Sequence, residues 1–256
     1  MAAPLKTFSV DSLAVRVFAA TRDMAVDAAR EARQVLCDAV AARGAAAAIL
    51  AGGNSQRQFL EELVAAKGVD WSRVTLFHMD EYLGMPVTHS ASLRRQMRER
   101  VESKVKPKKF EYLAGDAMEP LTECERYAAL LKAQPLDLCC LGIGENGHVA
   151  FNDPAVADFN DPRLVKIVKL DRPCRQQQVG EGHFSDIEAV PQYALTLTIP
   201  ALCAARKVLA IAPEKRKAEP VKNTLRGPIS TTCPASYLRK QAHCTLFLDA
   251  ESASLI

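Results

Sequence analysis

The chain has 256 residues, 48% of them hydrophobic and 25% charged, with 33 Lys and Arg against 30 Asp and Glu for a formal net charge of +3. These proportions exclude a disordered chain, which needs low hydrophobicity and high net charge. A charge of +3 spread over this length is also too weak a field for a nucleic-acid binder. With no run of about 18 uncharged apolar residues, no membrane-spanning helix is expected.

At the N-terminus, Asp11 and Arg16 fall inside what would be the apolar core of a secretory signal, so a cytoplasmic protein is expected. The eight cysteines include no C-x-x-C pair and no zinc-finger spacing to histidines, and most sit in apolar runs. They read as reduced core thiols, with the neighbours Cys139 and Cys140 pointing to opposite faces of a strand. Lys104 to Lys109 (KVKPKK) reads as a solvated loop.

In chain order, short apolar runs predict strands over Ala14–Phe18, Ala47–Leu50, Val74–Phe77, Leu136–Leu141, Val165–Lys169, Ala194–Ile199, Lys207–Ile211 and Cys244–Leu248. Between several of these lie segments with apolar positions three or four apart, predicting helices over Met24–Ala42, Arg57–Ala66, Leu121–Leu131 and Arg216–Leu225. Such alternation implies an α/β fold, doubly wound, with a mostly parallel central sheet between two helical layers. No Pro/Gly/Ser-rich linker divides the chain, and one domain over residues 1–256 is the simplest account.

In sheets of this type ligands bind beyond the carboxyl ends of the strands, so the residues following each strand carry the functional information. After the second predicted strand comes Gly52-Gly53-Asn54-Ser55. Glycines let the backbone approach a ligand, and a helix start offers free N–H groups to a phosphate, although Asn54 or Ser55 serving only as a helix cap explains the segment equally well. After the third comes His78-Met79-Asp80-Glu81-Tyr82. Adjacent carboxylates at a sheet edge suit general-base work, the plainer alternative being that Asp80 caps a turn and Glu81 faces solvent.

The most informative segment is Gly142-Ile-Gly-Glu-Asn-Gly-His-Val-Ala-Phe-Asn-Asp-Pro154. His148, with Asp153 five residues on, forms a potential histidine–carboxylate pair in a glycine-rich loop. Only one histidine lies in the cluster, which disfavours a metal site. Further on, Lys215-Arg216-Lys217 opens a helix. Cations there oppose the helix dipole, which makes sense beside a bound anion or, alternatively, as a solvent-facing run.

Met79-Asp-Glu-Tyr82 together with Gly142-x-Gly-x-x-Gly-His-x-Ala-Phe-Asn-Asp-Pro154 resembles the signatures of the glucosamine-6-phosphate deaminase/isomerase family, which is related in fold to 6-phosphogluconolactonases. The resemblance runs from the strand before Gly52 to Asp249 and implies a doubly wound α/β sandwich without metal or cofactor. It implies ring opening of an amino-sugar phosphate, proton transfer between C1 and C2, and release of ammonia to leave a ketose phosphate. By this resemblance Asp80 matches the base for the C2 proton, His148 the ring-opening histidine, and Asp153 a supporting glutamate. Gly52, Gly53, Asn54 and Ser55 match the phosphate-side loop and Lys217 a phosphate-binding lysine.

Several positions depart from the family pattern. Asn146 stands where most deaminases pair an aspartate with the histidine, and the adjacent Glu145 is a candidate substitute. His78 replaces a frequent asparagine. The family's phosphate-binding arginine has no clear match in Cys174–Phe184, leaving Arg175 or His183 to fill in. The stretch between Ala155 and Arg163 differs from that of allosteric members, so no such allostery is expected. Expected partners are a small sugar phosphate, with neither nucleic acid nor membrane, and the sequence is compatible with a homo-oligomer. Two alternative functions are a 6-phosphogluconolactonase-like hydrolase, with His148 activating water, and a sugar-phosphate sensor weakened by Asn146.

Overall fold

In the computed structural model, residues 3–256 are described. The strands are β1 (Lys6–Val10), β2 (Leu13–Phe18), β3 (Ala46–Leu50), β4 (Val74–His78), β5 (Asp80–Tyr82), β6 (Lys109–Glu111), β7 (Leu138–Leu141), β8 (Val165–Lys169), β9 (Tyr193–Leu197), β10 (Lys207–Ala212) and β11 (Cys244–Asp249). The helices are α1 (Thr21–Arg43), α2 (Arg57–Ala65), α3 (Leu93–Met97), α4 (Ser103–Val105), α5 (Pro120–Lys132), α6 (Arg172–Gly180), α7 (Ile199–Cys203) and α8 (Ala218–Arg226). A π-helical turn, Arg98–Glu102, joins α3 to α4.

Eight strands form one sheet in the order β1-β2-β11-β10-β7-β3-β4-β6. Every neighbouring pair is parallel except β1 with β2. All residues of β3, β4, β7 and β11 are buried, as expected where helices cover both faces and strands read as continuous apolar runs. Cys139 belongs to the core on one face and Cys140 to the core on the other. On the second face α1 buries Ala25, Ala28, Ala29, Ala32 and Ala39 in the same cluster as Ala46 and Ala48 of β3. These small side chains at helical spacing let the helix lie close to the sheet. Gly44, at φ +75°, ends α1 by donating its N–H to the Val40 carbonyl.

The mostly parallel sheet flanked by helices agrees with the sequence, although β1, β5 and β6 were not among the predicted strands and two predicted elements differ. First, the predicted strands now seen as β8 and β9 lie outside the main sheet: with β5 they form a separate antiparallel sheet, ordered β5-β9-β8. An apolar run signals burial, not the sheet that buries it. Second, Ile199, expected at a strand end, begins α7, because Thr198 accepts the Ala201 N–H as a cap and Pro200 suits the first turn. The Lys104–Lys109 lysines are exposed as expected, but the segment is only partly a loop: Lys104 lies in α4 and Lys109 begins β6.

Strand β5 separates the two neighbouring acids. Successive side chains on a strand point to opposite faces, so Asp80 and Tyr82 face the cleft described below while Glu81 turns into the protein. The solvent-facing alternative for Glu81 is therefore incorrect. Its fully buried carboxylate accepts hydrogen bonds from Ser92 Oγ (2.7 Å) and from the N–H groups of Arg94 (2.8 Å), Tyr82 (3.0 Å) and Leu93 (3.1 Å). It thereby satisfies the open N–H groups at the start of α3. Glu81→Ala, which orphans several buried donors at once, is expected to destabilise the protein by roughly 3 kcal/mol in urea denaturation.

Candidate active site

The sheet has a topological switch between the neighbouring strands β7 and β3: from β3 the chain proceeds outward to β4 and β6, and from β7 outward to β10 and β11. A crevice opens beyond the carboxyl ends at such a point because the loops diverge. Here the cleft is lined by loops following β3, β4, β7 and β10 and by residues at the end of α6 and beyond it.

Gly52, Gly53, Asn54 and Ser55 form one wall. Neither Asn54 nor Ser55 caps the following helix with its side chain, so the cap reading of this loop is not realised. Ser55 Oγ instead accepts from Gln56 Nε2 at 3.3 Å, and Arg100 of the π-helical turn holds the Gly52 carbonyl at 2.6 Å. Gly142 is packed against this loop: a Cβ there would stand 3.1 Å from both Ser55 Oγ and Gln56 Nε2.

The three cations after β10 separate by environment. Lys215 is exposed, while Arg216 is neutralised by Glu181 (2.7 Å), Glu214 (2.7 Å) and Glu145 (3.3 Å). Lys217 is 1% exposed, lines the cleft, and has no ion pair or side-chain hydrogen bond among the described residues. Burial, then the neighbouring Arg216 charge, pushes its ammonium down to about 8. A buried cation without a carboxylate is costly, and the cleft offers room for an anion to compensate it.

Asp80 is the corresponding acid. Its carboxylate lines the cleft and takes no hydrogen bond from the described residues. Burial, reinforced by the Glu81 charge, pushes it up to about 8. A carboxylate in this state is a far stronger base than one in water.

His148 stands between these groups in a constrained loop. Gly144 donates its N–H to the His148 carbonyl at 2.9 Å, and a Cβ at Gly144 would lie 2.2 Å from the ring, so only glycine lets the imidazole pack there. The ring Nδ1 is 2.6 Å from Asn146 Oδ1 and 3.1 Å from Asp153 Oδ1. Both atoms are acceptors, so Nδ1 carries the proton and Nε2 is left as an acceptor toward the cleft. Burial opposes charge on Asp153, but hydrogen bonds from His148 and Asn146 outweigh it and hold the carboxyl below its ordinary value. Asn152 anchors the loop by donating to the Val149 and Leu197 carbonyls at 2.9 and 2.8 Å.

Asp80, His148, Gly52–Ser55 and Lys217 thus share one cleft, with Asn146 and Asp153 behind the imidazole. Glu145 does not join them. Its carboxylate bonds Arg216 outside the cleft lining, so it is no substitute partner for His148. Arg175 is likewise removed, donating to the carbonyls of Ile187 and Val190, whereas His183 does line the cleft. His78 is buried elsewhere, accepts from the Leu113 N–H at 2.8 Å, and is pushed down to about 3 by burial and Arg94, so it is neutral.

Residues not singled out in the sequence also contribute. Glu181 lines the cleft; burial works to raise its carboxyl, but His183, Arg216 and Gln177 together hold it down at about 2. Asp171 meets Asn146 from the start of α6, where its side chain accepts the Cys174 N–H at 2.8 Å. Asp171 followed by Pro173 is a legible helix-start signal, but the polar run Gln176-Gln177-Gln178 lacks the apolar spacing that would have drawn attention to the helix. Cys174 adds a thiol to this group: a His148 ring nitrogen, an Asp153 oxygen and Cys174 Sγ lie within 4.8 Å of one another, a set of metal-ligand types that a count of histidines does not anticipate. Burial, then the charges of Asp153 and Asp171, pushes the thiol well above its ordinary value and keeps it protonated.

Comparison with known proteins gives the family and the fold. A family model described as glucosamine-6-phosphate isomerases/6-phosphogluconolactonase matches residues 19–247. A glucosamine-6-phosphate deaminase of Bacillus cereus is 37% identical over 206 residues, 80% of this chain and 76% of that protein. Glucosamine-6-phosphate deaminase 1 of Giardia intestinalis is 36% identical over 202 residues, 78% of this chain and 74% of that protein. Among solved structures, a monomeric glucosamine-6-phosphate deaminase superposes with a TM-score of 0.86 at 28% identity, covering 94% of this chain and 99% of that one. A 6-phosphogluconolactonase of Thermotoga maritima shares the fold, with a TM-score of 0.74 at 22% identity over 93% of this chain and 99% of that one. The chain belongs to the glucosamine-6-phosphate isomerase/6-phosphogluconolactonase family.

Proposed function

We propose that the protein is an amino-sugar-phosphate deaminase/isomerase acting on glucosamine 6-phosphate or a close analogue. The observation that carries this reading is the convergence in one cleft of an unpartnered carboxylate, an imidazole with a free Nε2, and an unpaired buried ammonium beside a glycine loop. The names of the relatives support the substrate class.

In this mechanism the phosphate docks against Gly52–Ser55 and Lys217. The fit is electrostatic: the dianion supplies the countercharge that Lys217 lacks, and the loop contributes N–H and hydroxyl donors. His148 Nε2 takes the proton of the anomeric hydroxyl and returns it to the ring oxygen, opening the sugar to its aldehyde. Asp153 and Asn146 hold Nδ1–H throughout and so keep Nε2 available. Asp80 removes the C2 proton, giving an enolamine, and the proton is delivered to C1. Water then converts the resulting C2 iminium to the ketone with release of ammonia. Among the chain's acids Asp80 suits this step because burial has made it basic, as abstraction next to a carbonyl requires.

Asp80→Asn is expected to abolish exchange of the C2 hydrogen with solvent deuterium, lowering turnover by roughly two to four orders of magnitude. The variant should be at least as stable as the wild type at pH 8. The Asp80 carboxyl is raised in the folded state, so its ionisation opposes folding as pH rises from its unfolded value toward about 8. Retained exchange would remove Asp80 from the role of base. Release of ammonia and ketose phosphate from glucosamine 6-phosphate by pure protein tests the reaction itself.

The same charges set a pH profile. Asp80 must be ionised and Lys217 protonated, and both titrate near 8 in the free protein, one raised and the other lowered by burial. With the substrate's own titrations divided out, kcat/KM is expected to form a narrow bell centred near pH 8. It falls on the acid side as Asp80 gains a proton and on the alkaline side as Lys217 loses one. A broad plateau from pH 6 to 9 would contradict this assignment.

A further inference from the structure

Asn146 poses a physical problem that the reaction above does not resolve. A side-chain amide next to a histidine is ambiguous: its oxygen requires Nδ1–H, whereas its NH₂ would require a bare Nδ1 and place the proton on Nε2. Only the first arrangement leaves Nε2 able to accept a proton from the ligand. In a serine protease, an amide in place of the orienting carboxylate leaves the geometry intact but selects the wrong tautomer and costs about four orders of magnitude in rate.

The surroundings of Asn146 remove the ambiguity. Its Oδ1 lies 2.6 Å from His148 Nδ1 and accepts the His148 backbone N–H at 3.0 Å. Its Nδ2 donates to Asp153 Oδ1 at 3.0 Å and to Asp171 Oδ1 and Oδ2 at 3.3 and 3.1 Å. An ionised carboxylate only accepts, so two of them on one side of the amide admit only its NH₂ there. The oxygen is then directed at the histidine. Asp171 is itself held in place, its side chain by the Cys174 N–H at 2.8 Å and its backbone N–H by donation to Asp153 Oδ2 at 3.0 Å.

We propose that Asp171 is a positioning residue that, by locking the Asn146 amide, reinforces the His148 Nδ1–H tautomer that Asp153 also favours. It touches no ligand and acts through Asn146. Asp153 Oδ1, 3.1 Å from His148 Nδ1, favours the same tautomer directly, and the His148 backbone N–H holds the amide oxygen; Asp171 adds the acceptor for the second amide hydrogen, which Asp153 alone leaves open. The network as a whole keeps two carboxylates near the imidazole but places the neutral amide between them, which limits the like-charge repulsion that a third carboxylate at position 146 would add. The catalytic consequence rests on the deaminase reading above; the tautomer itself does not.

The test uses two substitutions that preserve the helix cap, Asp171→Asn and Asp171→Ser, since Asn and Ser both cap well. In Asp171→Asn, the new oxygen caps Cys174 and its NH₂ opposes the NH₂ of Asn146. In Asp171→Ser, the acceptor is withdrawn. Nitrogen-15 shifts of the histidines in labelled full-length protein, assigned with a His148→Gln control, report the tautomer directly. The wild type should show His148 as Nδ1–H, and each folded variant a measurable Nε2–H population. With glucosamine 6-phosphate, kcat should fall about tenfold or more with KM changed less than twofold. A wild type already in the Nε2–H form, or a folded variant with an unchanged tautomer, overturns the proposal. Wild-type protein that turns over no amino-sugar phosphate, yet shows the tautomer change in the variants, refutes the reaction and leaves the positioning role standing.

Discussion

The divergence of the chain between β3 and β7 is the constraint on which the remaining architecture depends. Because β3, β4, β7 and β10 are neighbouring parallel strands, their carboxyl ends open at the same rim of the sheet. Loops leaving a parallel strand must cross back over a helical layer, and at the switch they depart to opposite sides. The glycine loop after β3, the carboxylate after β4, the imidazole loop after β7 and the lysine after β10 therefore meet at one rim. The separate β5-β9-β8 sheet adds to this: pairing with β9 fixes β5 as a strand, and its alternation sends Asp80 to the cleft and Glu81 to the start of α3.

Within that cleft the protein maintains charges that folding alone would not select. Asp80 and Lys217 are both buried, both lack protein partners among the described residues, and both are shifted toward their neutral forms. Elsewhere the same chain gives its charges partners, as where the half-buried Arg216 gathers three carboxylates and the buried Glu81 accepts four hydrogen bonds. The contrast separates structural from functional ionisation: groups with satisfied partners maintain the fold, while groups left open await a ligand that satisfies them. His148 falls between these cases, with Nδ1 satisfied by the protein and Nε2 reserved for the cleft.

Local patterns alone were enough to read much of the fold. Short apolar runs at Ala47–Leu50, Val74–Phe77 and Cys244–Leu248 imply strands, and the alanine-rich spacing of α1 fits a helix pressed on the sheet. Strand–helix alternation then implies a parallel sheet and locates the post-strand segments where a ligand binds. The glycine pattern around His148 marks a loop that must be tight. All of this is short-range information, encoded in spacing and in which residues tolerate close approach.

What the sequence by itself could not decide was the direction and partnership of individual side chains, since these depend on contacts between distant segments. Glu145 and Asn146 are adjacent, yet one reaches Arg216, 71 positions away, and the other bridges His148, Asp153 and Asp171. Arg175 and His183 were equivalent candidates until the fold assigned one to backbone carbonyls and the other to the cleft. The β8 and β9 runs were recognisable as strands, but their membership in a second sheet follows from pairing with β5, which no local pattern encodes. Residue types and periodicity therefore determined the layers and the rim that holds the site. Only the packed chain determined which charges are paired, because a hydrogen bond between segments is a property of their common position in space.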